Sequence, residues 1–494
     1  MIAIAAFVFC VAPTFISYRS YIFQWDDANY MMRAVQVSRN LWKGDMDWVL
    51  AAMVGAHTPA MTLLGLPWGP LRSWQSTGDC FIALGAAISL IVGASLYLLL
   101  RIGVKPCYLV AASACVFASI GPYPTGSPLH KDATGFLSDG LLAWTVFAAL
   151  LLIPYEARLH RSTIRSSVLS GVVWGLIFCL GVATKLSFLY FVVLLIPVLL
   201  FIKVRNTGWT RALTAAIALA FCATPIVLYL VQWGRPAFDL AKESSFGETA
   251  RFYYVPLSQF LLHAVRESPG LLLSFLFVIA GLTVGFIRRQ LSQHWPELLA
   301  LLIILGYTII VFASPNREMR FALGAIVALP FLVGILLSGT ENVVPQRFAT
   351  AAAVLAICVL VAASVPMRLR PDRQSISRSN AVLAIAARIN ARSIILATDS
   401  PTLNDPLLIL AREFSTSRVS DSATIAYRAS LGTSIEDDYR ILSGYDLVVL
   451  QDYEVLSPPF TNQRVRQYER YVQQSGYGPI RAADDIDVYL MHYR

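Results

Sequence analysis

Leu186-Ser187-Phe188-Leu189-Tyr190-Phe191-Val192-Val193-Leu194-Leu195-Ile196-Pro197-Val198-Leu199-Leu200-Phe201-Ile202 carries no charge, yet Lys185 stands before it and Lys203 after it. A stretch of this length, coiled as an α-helix, spans roughly 25 Å at 1.5 Å per residue. Hydrocarbon about 30 Å thick is crossed only where every backbone group is bonded internally, which favours helices of about 20 mostly apolar residues. The run therefore reads as a membrane span with its cations at the two water interfaces.

Runs of the same kind recur along the chain. Eleven spans are expected, near 2–18, 80–100, 107–121, 135–154, 167–184, 186–202, 212–233, 269–287, 298–313, 322–338 and 349–366. Only 14% of the 494 residues are charged and 56% are hydrophobic, whereas a soluble domain is about a quarter charged. The chain thus reads as an α-helical polytopic membrane protein. A cleaved signal peptide fits poorly, because no basic segment precedes the first apolar run.

Basic residues of short loops gather on the cytoplasmic side. With the N-terminus inside, the inner loops hold Arg101, Lys105, Arg158, Arg161, Arg165, Lys203, Arg205, Arg211, Arg288, Arg289 and Arg347, opposed by Glu156, Glu297 and Glu341. The N-terminus is therefore expected in the cytoplasm of a multi-pass plasma (inner) membrane protein. The first loop and the C-terminal tail then face the periplasm or exterior. The net charge of +9 follows from inner-loop residues that meet anionic headgroups. No soluble basic patch supports nucleic-acid binding. The seven cysteines lie in or beside spans, with no disulfide framework and no metal-type spacing.

Two domains are expected: a transmembrane domain over 1–366 and an exterior α/β domain over 367–494. The first exterior loop, 19–79, contains a helix whose Met31, Ala34, Val35, Ser38, Leu41 and Trp42 share one face. That pattern suits a helix in the headgroup plane, ended by Gly44. A second loop, 234–268, reads as a connector, with a lid as the alternative. In the tail, strand-like runs Ser393–Thr398, Asp446–Leu450 and Asp487–Met491 alternate with helical stretches near 379–391, 436–443 and 463–475. A small, partly parallel sheet is the expected result. Asp437-Asp438 reads as solvated surface, and Glu436 with Arg440 as an ordinary helix pair.

Charges in or against the hydrocarbon cost about 2.5–3.5 kcal/mol at a span centre, so each one has a reason to be there. Asp26-Asp27 lies just beyond the first span; side-by-side carboxylates repel, which favours a chemical role over a packing one. Asp139 sits near the outer end of the fourth span. Lys185, Arg317, Arg320, His57, Lys131 and its neighbour His130 all fall on the same outer side. Cations there oppose the inside-positive rule. Carboxylates and cations at one membrane face suit a transfer whose leaving group is a lipid phosphate: cations neutralise the departing charge and a carboxylate takes the nucleophile's proton. Each residue also has a simpler reading, as a helix cap or a headgroup anchor.

The order of these motifs resembles the GT-C superfamily of integral-membrane glycosyltransferases. These motifs are the acid pair after span one, Ala56-His57-Thr58-Pro59, Ser138-Asp139-Gly140-Leu141-Leu142, Gly181-Val182-Ala183-Thr184-Lys185 and Arg317-Glu318-Met319-Arg320-Phe321. The branch of aminoarabinose transferases and protein O-mannosyltransferases is nearest, over roughly residues 1–340. The resemblance implies a polyprenyl-phosphate-linked sugar donor, an envelope acceptor and inversion at the sugar carbon. Asp26 and Asp27 match the family's loop-one acids, which serve as base or metal ligand, and could hold Mg²⁺ or Mn²⁺. Asp139 matches an acid of its core, and Lys185 and Arg320 match positions near the donor phosphate. Where the aminoarabinose branch has Glu-Lys-Pro-Pro, His57 replaces the lysine. A transporter or flippase of a lipid-linked saccharide is the alternative, but it calls for charge at mid-depth rather than at one face.

Overall fold

The computed structural model describes residues 25–47, 49, 58–66, 74–120, 138–158, 163–247, 256–267, 270–287, 294–315, 319–338, 373–397, 403–414, 423–427, 434–451, 462–474, 479–483 and 486–490. The spans expected at 2–18 and 349–366 lie outside these residues. In chain order the helices are α1 (Trp25–Trp42), α2 (Ala60–Gly65), α3 (Trp74–Arg101), α4 (Pro106–Ile120), α5 (Ser138–Arg158), α6 (Ile164–Thr184) and α7 (Phe188–Thr207). They continue with α8 (Trp209–Trp233), α9 (Arg235–Phe246), α10 (Leu257–Glu267), α11 (Gly270–Ile287), α12 (Trp295–Ala313) and α13 (Leu323–Ser338). The tail adds α14 (Arg373–Arg388), α15 (Asp405–Phe414), α16 (Ile435–Leu442) and α17 (Asn462–Gln474) with strands β1 (Ser393–Leu396), β2 (Thr424–Tyr427), β3 (Leu447–Gln451), β4 (Pro479–Ala483) and β5 (Ile486–Leu490).

Contacts divide the chain into two compact units. One comprises 1–17, 44–64 and 81–368; the other comprises 18–43, 65–80 and 369–494. Among the described residues, five helices of the first unit, α5, α6, α7, α8 and α12, are long and apolar enough to cross a membrane. The protein is an integral membrane protein. Shorter apolar helices in α3, α4, α11 and α13 accompany them.

α5 is buried on nearly every side, with Trp144 edge-on to Phe147 and Phe147 edge-on to Phe331 of α13 at 5.0 Å. A helix apolar all round belongs at the centre of a bundle. α8 instead exposes Leu213, Ile217, Phe221, Leu228 and Val231, the surface a helix presents to lipid. Its other side meets α6 backbone to backbone. A Cβ on Gly171 would lie 2.2 Å from the Ala215 carbonyl oxygen, and one on Gly175 would lie 2.9 Å from that of Leu219. Small residues four apart permit this approach, where dispersion replaces the hydrophobic drive that lipid cannot supply.

At the Arg158 end of α5 the acids read as inner-loop exceptions find cations. Glu297, fully buried at the start of α12, pairs with Arg158. Glu156 accepts from Lys203 at 2.5 Å and from the Ser170 hydroxyl at 2.7 Å. The ninth span accordingly begins earlier than its apolar run, at Trp295 rather than 298, because a paired carboxylate is tolerated in the bundle.

In the second unit the sheet order is β2-β1-β3-β5-β4. β1 pairs parallel with both β2 and β3, while β5 is antiparallel to β3 and β4. Strand alternation feeds two cores. Ile394, Leu396, Leu447 and Val449 pack with α14 and α15; Ile395, Val448 and Leu450 pack with α16 and α17. Asp438 is fully buried and accepts from the Tyr468 hydroxyl at 2.7 Å, which corrects its reading as solvated surface. The position faces α17, and a phenol supplies what water would have supplied. Arg440 pairs with Asp437 at 2.9 Å rather than with Glu436.

Candidate active site

Asp139 and Lys185 come from opposite helix ends. Asp139 occupies the first turn of α5, and Lys185 is the C-cap of α6. Partial positive charge at a helix N-terminus favours a carboxylate, and partial negative charge at a C-terminus favours an ammonium. α5 and α6 pack side by side, and the two side chains form an ion pair, Nζ to Oδ1, at 2.5 Å. The carboxylate is 5% exposed but the lysine side chain 29%. The accessible side of the pair is thus its cation.

Two more motifs meet here. The Thr58 hydroxyl donates to the Thr184 carbonyl at 2.5 Å, with both residues buried. Thr58 is thereby attached next to Lys185. The Thr184 hydroxyl donates back to Leu180 at 2.6 Å. A Cβ on Gly181 would fall 2.3 Å from the Phe188 ring, so this glycine lets the turn into α7 close tightly over Lys185. Tyr307 of α12, fully buried, lies edge-on to Phe191 at 5.9 Å, in hydrogen-bonding reach of Ser187 and within electrostatic range of Asp139. The 3₁₀ turn Met319–Ala322, which carries Arg320, packs against α5, α12 and α13.

One end of the bundle therefore collects Asp139, Lys185, Thr58 and Thr184, with Tyr307 in reach and the Arg320 turn packed on the same helices. In the sequence Thr58 and Thr184 stood only as members of their motifs, and Ser187 and Tyr307 were not singled out. A hydroxyl inside the apolar run of α12 was the only signal for Tyr307, and none marked Thr184 as an acceptor. Asp26 and Asp27 occupy the first turn of α1, in the second unit. His57, Lys131 and Arg317 lie outside the described residues. Among the described residues no three His, Cys, Asp or Glu side chains gather as a metal's ligand set.

No protein-family model matches the chain, and no curated protein matches it by sequence. Solved structures do. ArnT from Cupriavidus metallidurans bound to undecaprenyl phosphate superposes with a TM-score of 0.57 at 12% identity, over 99% of this chain and 98% of that one. Its apo form gives a TM-score of 0.60 at 12% identity, over 99% and 97%. The chain has the ArnT fold. This agrees with the GT-C architecture that the motif order resembles. The ArnT fold extends over essentially the whole of both chains, membrane helices and tail alike.

Proposed function

We propose that the protein is a glycosyltransferase that moves a sugar from a polyprenyl-phosphate donor to an acceptor of the cell envelope. The observation that carries this reading is the full-length likeness to ArnT, a structure that binds undecaprenyl phosphate. The charged cluster at one end of the bundle supports it independently.

In this reading a carboxylate of Asp26 or Asp27, with Asp26 preferred, removes the proton from an acceptor hydroxyl or amine. The freed electron pair attacks the anomeric carbon from the face opposite the phosphate. The carbon–oxygen bond to phosphate breaks, its electrons leave with the polyprenyl phosphate, and the anomeric centre inverts. Lys185 and Arg320 offset the charge that builds on the departing oxygens, and Arg320 adds directional bonds. Asp139 stays buried and steers the Lys185 ammonium, whose exposed side is left for the phosphate. The lipid tail lies among the spans, which accounts for a site at the bundle end.

Purified protein incubated with undecaprenyl-phosphate-linked sugars and an envelope lipid or glycan extract should yield a product heavier by one glycosyl unit. Asp26→Asn should abolish its formation while the protein still inserts and melts as wild type. Normal turnover in that variant would sink the assignment of the base.

A further inference from the structure

We infer that Arg39 and Glu413 are positioning residues, through which the tail holds the acid-bearing helix α1 in one orientation. The inference rests on reading Asp26 and Asp27 as the acids of the reaction. On α1, Ala28, Met31, Ala34, Val35 and Ser38 are all buried. α1 packs against α15, which belongs to the same compact unit. α15 in turn buries Leu407, Leu408, Leu410 and Ala411. The Arg412 guanidinium donates to the Ala423 carbonyl at 2.7 Å, which fixes α15 to the residue that leads into β2.

At the end of α1 remote from the acids, Arg39 Nη1 donates to both carboxylate oxygens of Glu413 at 2.9 Å. The Glu413 side chain is 5% exposed and that of Arg39 17%. A carboxylate so placed has exchanged its water for this guanidinium, so the pair has a defined geometry rather than the loose one of a surface bridge. Leu41 and Trp42, two and three residues further on, are exposed and do not share in the clamp.

The span from Arg39 to Asp26 is roughly 20 Å of continuous helix at 1.5 Å per residue. A rigid rod of that length turns a small rotation at the clamp into a displacement of order an ångström at the acids. Misplacement on that scale costs about a hundredfold in rate. Sheet, α15, the Arg39–Glu413 pair and α1 thus form one mechanical path to the acid pair. The tail domain acts in the chemistry through this path, without contact of its own with the reacting atoms.

The test compares Arg39→Ala, Glu413→Ala and the exchanged pair Arg39→Glu with Glu413→Arg in the full-length protein. Each single variant should lower kcat by about 10- to 100-fold and leave donor KM within a factor of about three. The exchanged pair should recover most of kcat. Hydrogen exchange across 25–42 should rise in the single variants and fall back in the exchanged pair, with 138–207 unchanged. Wild-type kcat and unaltered exchange in Arg39→Ala would overturn the clamp, as would an exchanged pair that folds but regains neither. If instead the wild-type protein transfers no sugar, the functional reading fails, and exchange alone then decides whether the pair orders α1.

Discussion

Asp139 carries two supports for its charge, the N-terminus of α5 and the Lys185 ammonium at 2.5 Å. Removing one member of a buried pair leaves the other uncompensated, at about 3–5 kcal/mol, whereas removing both together costs far less. Asp139→Asn should therefore reduce transfer at least about a hundredfold, because the ammonium loses its anchor as well as its counter-charge. Asp139→Leu with Lys185→Leu should restore much of the melting temperature lost by either single change and none of the activity. A double variant that regained turnover would show that the pair is structural only. These charges were legible in the sequence because a membrane makes them expensive. Their partnership was not: hydropathy marks which positions are costly and is silent on which of them meet across 46 residues.

At the scale of elements, α15 concentrates the clearest pH dependence. Its first residue, Asp405, is half-buried, and burial pushes the carboxyl up to about 6 against a backbone hydrogen bond that pulls the other way. The folded state then holds its proton more tightly than the unfolded chain, so this contribution favours folding at low pH. It is lost as pH rises from about 4 through about 6. The shift of about two units would amount to about 3 kcal/mol, which partial exposure trims to about 1–2 kcal/mol. Melting of the second unit should move down between pH 5 and 7.5, and Asp405→Asn should flatten that slope and raise the melting temperature at pH 7.5. The same unit marks the limit of reading elements from a sequence. β1, β3 and β5 occupy the interior of the order β2-β1-β3-β5-β4 and show as apolar runs, since both faces are covered. β2 and β4 are its edges, partly exposed, and left no such run. The apolar stripe on α1 was visible through its period, but a period cannot tell a headgroup plane from a helix far along the chain: α1 packs on α15, where Arg39 meets Glu413 across 374 residues.

For the whole molecule, the polytopic α-helical class followed from apolar runs alone, and nine of the eleven expected spans correspond to described helices. Orientation rests on a different force. Inner-loop cations each gain about 1 kcal/mol beside anionic headgroups, and Glu156 and Glu297, which would oppose them, are taken up by Lys203 and Arg158 within the bundle. Each of these pairs takes up one inner-loop cation along with its acid, so the excess of cations in the inner loops is unchanged and the expected orientation stands on the same balance. The Arg158 end of α5 should then face the cytoplasm, and the Asp139 end should face outward. Ser434 and Arg165 are both exposed, one in the second unit and the other at the start of α6, so a cysteine at either position is reachable by a reagent on its own side. In a cysteine-free background, Ser434→Cys should react with a membrane-impermeant maleimide in spheroplasts, and Arg165→Cys only after lysis. The reverse pattern would turn the Asp139–Lys185 end toward the cytoplasm, where an envelope acceptor could not reach it.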